Sequence, residues 1–204
     1  HKVLKKMNYF LQFILIKLVY IFFYLLPLKK ATKISGFIFK QIGNKTKINK
    51  IALNNCKIVF PNLKNYEIKR IIDNSWQNLG SNFVELSRLE EIVNKKSLIK
   101  IKGIENIKEF INNQKQGIFF SIHQSNWEIC VPILDKLEVS IAAVYRHINN
   151  IYLDKLVYKF RTNSLTTNKS FYTPKGIKSA KEIIENVKNK KSIFLLIDQK
   201  DSSG

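Results

Sequence analysis

The chain has 204 residues, enough for a domain with its own core, and 35 Lys and Arg against 15 Asp and Glu leave a net charge of +20. A charge of that sign suits anionic partners, although a chain crowded with Lys, Asn and Ile also carries part of it as plain composition. The two cysteines, Cys56 and Cys130, stand far apart without a C-x-x-C, which excludes a disulfide framework and a Cys-based zinc site and fits a reducing compartment.

Residues 9–28 form an apolar run broken only by Gln12 and Lys17. At about 1.5 Å per residue the run reaches across a hydrocarbon core of roughly 30 Å. Lys17 near its middle leaves two readings open, a tilted spanning helix or an amphipathic helix in the interface. Pro27-Leu28-Lys29-Lys30 follows in place of a small-x-small cleavage site, which argues against a signal peptide. Lys29, Lys30, Lys33, Lys40, Lys45 and Lys47 follow the run, against Lys2, Lys5 and Lys6 before it, so the positive-inside tendency puts the remainder of the chain in the cytoplasm.

Helical spacing continues through residues 31–42 and 47–59, until Phe60-Pro61-Asn62 breaks it. Residues 65–89 predict a long helix with Ile68, Ile71, Ile72, Trp76, Leu79, Phe83 and Leu86 as its core stripe. From residue 97 the rhythm changes. Strands are predicted over 98–101, 117–122, 140–145, 170–172 and 192–197, with helices over 104–113, 127–137, 150–161 and 176–189. Alternation of this kind predicts an α/β fold, a largely parallel sheet flanked by helices. The expected domains are an N-terminal membrane anchor over 1–29, a helical segment over 30–96 and an α/β core over 97–204. The chain opens on His1 and ends soon after an apolar strand-like run, so the core is expected to lack its C-terminal part.

In parallel sheets the functional groups gather beyond the carboxyl ends of the strands. His123, Arg146 and Asp198 each follow a predicted strand immediately, on the same edge. The densest stretch is Ile118-Phe-Phe-Ser-Ile-His-Gln-Ser-Asn-Trp-Glu-Ile129, an H-x-x-x-x-E pattern where a strand hands over to a helix. Histidine suits proton abstraction from a hydroxyl near neutral pH, and a carboxylate on its far ring nitrogen fixes the tautomer. On one continuous helix, five residues turn roughly 500° and leave the pair about 140° apart. The polar turn removes that obstacle, with Ser125 or Asn126 as N-cap and Glu128 in the first helical turn. The bland alternative is a structural His beside a capping Glu. Cys130, just inside that helix, reads as buried rather than reactive. The histidines are scattered, no metal constellation is visible, and no phosphate-binding glycine motif occurs.

The His-Gln-Ser-Asn-Trp-Glu wording resembles the signature of the glycerolipid (lysophospholipid) acyltransferase superfamily, and is closest to the lipid A lauroyl/myristoyl acyltransferase branch. Other blocks resemble the same family in order. They are Asn54-Asn-Cys-Lys-Ile-Val-Phe-Pro61, the G-x-x-x-x-E of Gly80 and Glu85, Ala142-Ala-Val-Tyr-Arg-His-Ile-Asn-Asn150 with Asp154, Lys175-Gly176 and Ile197-Asp198-Gln199. His147 and Ile151 stand where the family usually has proline.

The resemblance implies catalysis by His123 with Glu128, and substrate binding by Arg146, Arg161 and Asp198. Only four of the 35 cationic residues are Arg, and a planar fork suits phosphate. Arg146 then binds the phosphate of carrier or acceptor, with pairing to Asp154 or Glu138 as the plainer alternative. Arg161 ends a helix, where a cation is favourable in any case.

The implied reaction moves a fatty acyl group from an acyl thioester, acyl–acyl carrier protein, to a hydroxyl of a lipid A precursor at the inner membrane, on its cytoplasmic side, with no cofactor. One rival is an acyltransferase for another lysophospholipid or glycolipid. A rival of another class is a non-enzymatic basic protein binding anionic lipid or nucleic acid. Against nucleic acid, the basic residues are spread along the whole chain and form no stripe.

Overall fold

A computed structural model describes residues 2–113, 115–174 and 177–198. The chain divides into two compact units, residues 17–87 and residues 1–16 with 88–204. The division passes through the first helix, α1 (Lys2–Tyr24), and near residue 87.

The unit of residues 17–87 is helical. Pro27, with its fixed φ of −54°, opens α2 (Leu28–Gly43). Thr46 caps α3 (Lys47–Val59) by accepting from the Asn49 amide at 3.3 Å. Phe60-Pro61 ends α3, and α4 (Asn65–Leu86) starts with Glu67 accepting from the Lys64 amide at 2.9 Å. α2 and α4 approach closely because Gly80 faces Gly36: a Cβ on Gly80 would lie 2.5 Å from the Ser35 carbonyl oxygen and 2.8 Å from the Gly36 Cα. The packed face of α4 therefore runs through Ile68, Ile72, Gly80 and Val84 at helical spacing. Ile71 and Leu79, expected in the core, are exposed instead, since Gly80 and not Leu79 occupies the contact with α2. The C-terminal half of α1 joins this unit: Phe23 is buried with Ala31 and Val84, and Tyr20 stacks on Phe83 at 4.4 Å.

The other unit holds the sheet. After α5 (Leu89–Asn94), residues 96–98 form a 3₁₀ turn and the chain runs irregularly to α6 (Ile104–Asn112). No strand forms over 98–101, contrary to the alternation; the sheet is bounded by other strands, and Leu98 and Ile101 remain exposed. The strands are β1 (Ile118–Ser121), β2 (Ile141–Tyr145), β3 (Phe171–Pro174) and β4 (Ser192–Leu196). Among the described residues they make a four-stranded parallel sheet in the order β1-β4-β2-β3. Its core is Val131, Val139, Ile141, Ala143, Tyr172 and Phe194, with Ile107, Phe110 and Leu134 packed against them. Among the described residues the remaining α-helices are α7 (Cys130–Lys136), α8 (Ile151–Asn163) and α9 (Ile177–Lys188).

The fold is thus α/β with a parallel sheet and an apolar N-terminal helix, as the alternation predicts. Over Val3–Tyr24, α1 is long and apolar enough to cross a membrane, and little of it is buried.

One buried carboxylate fixes the loop between α8 and β3. Asp135 accepts from the Thr166 amide at 2.7 Å, the Thr167 amide at 2.8 Å and the Thr167 hydroxyl at 2.5 Å. Burial alone would raise its pKa, but these hydrogen bonds, with one from Ser170, hold it below the ordinary carboxylate range.

Candidate active site

β1 runs into a turn at residues 122–126, with Ser125 in the left-handed region at φ 51°. A non-glycine residue in that region stores modest strain, the kind of cost found where a turn must aim a side chain. Asn126 then caps a 3₁₀ turn, Trp127–Ile129, by accepting from the Glu128 amide at 3.2 Å. Pro132 follows in the first turn of α7, so the helix expected from residue 127 begins as a 3₁₀ turn and becomes α only at Cys130. Burial pushes the Cys130 thiol up, against nucleophilic use.

His123 is held on three sides. Its Nδ1 lies 2.7 Å from Asp198 Oδ1, and its backbone N–H donates to Asp198 Oδ2 at 2.8 Å. The Trp127 ring meets the imidazole edge-on at 5.0 Å. These two His123 bonds, the ring one first, hold Asp198 below the usual carboxylate range, so the carboxylate accepts and Nδ1 carries the proton. In the neutral imidazole Nε2 is then the lone-pair nitrogen.

Glu128 is committed elsewhere. Its two oxygens accept from Arg161 Nε at 2.8 Å and Nη2 at 2.6 Å, a bidentate pair with side chains only 11% and 17% exposed. Arg161 also lies over the rings of Tyr145 and Tyr172, 5.7 and 5.9 Å from their centres. Burial works against its charge, and the Glu128 bonds more than compensate. A cavity of about 40 Å³ lies here, lined among others by Glu128, Arg161, Tyr145 and Tyr172.

Spacing in the sequence assigned Glu128 to the far nitrogen of His123; in the structure Asp198 occupies that position. The reason is nonlocal. β1 and β4 pair in parallel with Ser121 opposite Leu196, so the second residue beyond each strand comes to the same place. A local five-residue pattern carries no trace of a partner 75 positions away.

Of the other expected residues, Arg146 stands exposed past β2 with no hydrogen bond to another described residue. Asp154 pairs with His147 rather than Arg146, and Glu138 with Lys169. Lys175 and Gly176 lie outside the described residues. Sequence reasoning missed the aromatic bed under Arg161; the one available signal was a Tyr near the end of β2 and another in β3.

Fold and site together define an α/β protein whose histidine, carboxylates and arginine gather at the carboxyl edge of a parallel sheet, the usual place for a small active site on this architecture. The particular family emerges from comparison. The model of the bacterial lipid A biosynthesis acyltransferases matches residues 1–204, and the chain belongs to that family. No curated protein matches the chain.

Proposed function

We propose that this acyltransferase moves a fatty acyl group from acyl–acyl carrier protein to a hydroxyl of a lipid A precursor, with His123 as general base. The observation that carries the reading is the His123–Asp198 pair, with Nδ1 tied down and Nε2 available. Nε2 takes the acceptor hydroxyl's proton as its oxygen attacks the thioester carbonyl. The carbonyl re-forms, the carbon–sulfur bond breaks, and the imidazolium returns the proton to the departing thiolate. Asp198 holds the tautomer and steadies the imidazolium, the role the sequence assigned to Glu128.

Glu128 and Arg161 act as positioning residues in this reading. Their buried pair ties α8 to the turn that follows His123, and Arg161, expected to bind substrate, works through Glu128. Arg146 is exposed at the same edge and supplies a fork for a phosphate of carrier or acceptor.

Membrane attachment is assigned to α1. Its N-terminal half is docked on α8: the Asn150 side-chain amide donates to the Tyr9 carbonyl at 2.8 Å and to Gln12 Oε1 at 3.1 Å, and Tyr152 meets Phe10 and Phe13. A helix carrying polar contacts at its middle suits the interface better than a full crossing. The exposed side chains Leu11, Leu15, Leu18 and Phe22 then enter one leaflet. Free thiols at Cys56 and Cys130 fit the cytoplasmic side of the inner membrane.

The test is acyl transfer in vitro with acyl–acyl carrier protein and a lipid A precursor, alongside lysophospholipid and glycolipid acceptors. Transfer to the lipid A precursor alone supports the reading. Preference for another lipid redirects it, and binding without transfer in every arm would leave a basic lipid-binding protein.

A further inference from the structure

The arrangement around His123 occurs a second time. His147 Nδ1 lies 2.7 Å from Asp154 Oδ2, and the other Asp154 oxygen accepts from the Ile148 amide at 2.8 Å. Tyr145 meets the imidazole edge-on at 5.2 Å, as Trp127 meets His123 at 5.0 Å. Each histidine thus has a carboxylate on Nδ1, a backbone amide on that carboxylate's second oxygen, and an aromatic ring against its face or edge.

The two are also placed alike. His123, Asp198 and His147 each stand two positions past the last residue of β1, β4 and β2, which end at Ser121, Leu196 and Tyr145. Those three strands are neighbours in that order, with Phe119 opposite Phe194 and Phe194 opposite Ala143. Two interstrand steps of about 4.8 Å put the histidines roughly 10 Å apart along one edge.

We propose that His147 is a second hydroxyl-binding point: its Nε2 accepts a hydrogen bond from a hydroxyl of the acceptor lipid other than the one acylated. The proposal rests on the reading of this edge as the acyl-transfer site. A carboxylate only accepts, so in the neutral imidazole Asp154 keeps the proton on Nδ1 and Nε2 is the acceptor. That selects a donor group, and a hydroxyl about 10 Å from the reacting one, two interstrand steps along the edge, is within the span of a sugar head group. His147 takes no proton in the reaction. It sets which acceptor sits correctly and for how long. Asp154, mostly covered while His147 is half-exposed, acts on the ligand through the imidazole.

Steady-state assays with acyl–acyl carrier protein and lipid A precursor test it. His147→Ala should raise KM for the acceptor about 3- to 10-fold, the scale of one hydrogen bond, with kcat within about twofold and donor KM unchanged. His147→Gln, whose amide oxygen reaches the place of Nε2, should restore much of the loss, and His147→Asn, which mimics Nδ1, should not. Asp154→Asn should copy His147→Ala, since an amide donor moves the imidazole proton to Nε2. Unchanged acceptor KM in His147→Ala overturns the proposal, and so does a rise confined to donor KM, which would make His147 a phosphate ligand. His123→Ala is run in parallel. A His123→Ala enzyme with normal kcat removes the base assignment alone, whatever the His147 variants do.

Discussion

At the scale of single residues, the site contains two carboxylate pairs with different duties, a histidine–aspartate hydrogen bond and a glutamate–arginine ion pair. His123–Asp198 is half-open to solvent and leaves a ring nitrogen available; Glu128–Arg161 is buried and saturated. The first should govern rate. His123→Ala is expected to lower kcat by about 100-fold or more, and Asp198→Asn to be strongly impaired through loss of the tautomer. The double variant should be little worse than the worse single, because the pair works as a unit. Single-turnover acyl transfer reads this directly, and near-normal kcat in His123→Ala would end the assignment. The second pair should govern stability. Glu128→Ala leaves a buried guanidinium unpaired, at a cost of about 3–5 kcal/mol. Denaturant unfolding should show that loss, and Glu128→Met with Arg161→Met should recover a large part of it. A double variant as unstable as the sum of the singles would mean that the two side chains do not act as a pair.

At the scale of elements, what matters is how loops beyond the strands are held. The α8–β3 loop hangs on Asp135, which spans α7 to Thr166 and Thr167. Its folded pKa lies below its unfolded one, so its contribution is complete above the ordinary carboxylate value of about 3.9 and is lost as pH falls through the folded value. Asp135→Asn should therefore lower Tm at pH 7 and narrow the gap to the unmodified protein in acid. Thermal unfolding from pH 7 down to about pH 3 checks this. A gap that stays constant across that range would show that the carboxylate's charge plays no part.

At the scale of the whole molecule, a strongly basic chain carries a long apolar helix with much of its side-chain surface uncovered. In the proposed membrane attachment, charge draws the chain to an anionic surface and insertion of the apolar side chains of α1 holds it there when salt screens the charge. Replacing Leu11, Leu15, Leu18 and Phe22 with Asn should reduce flotation with phosphatidylglycerol-containing vesicles by about tenfold or more in roughly 0.5 M NaCl, since each apolar side chain contributes about 1.5–3 kcal/mol when buried. Less reduction is expected at low salt. If the variant floats as well as the parent at high salt, membrane attachment lies elsewhere in the chain.

Features set by near neighbours in the chain are legible in the residues alone. Strand-helix alternation after residue 104, the break at Phe60-Pro61 and the presence of an apolar N-terminal helix are matters of periodicity and turn chemistry, and most elements after residue 104 fall within a residue or two of their expected bounds. The same holds for the placement of His123, Arg146 and Asp198, because the last residue of a strand tells which residue follows it to the sheet edge. The partners of these residues were chosen by tertiary packing. Asp198 reaches His123 because β4 inserts beside β1, Glu128 turns to Arg161 because α8 presents a guanidinium over two tyrosines, and Gly80 rather than Leu79 meets α2. Strand order and helix rotation are settled by burial and packing over the whole chain, so neither the H-x-x-x-x-E spacing nor the α4 stripe could carry them.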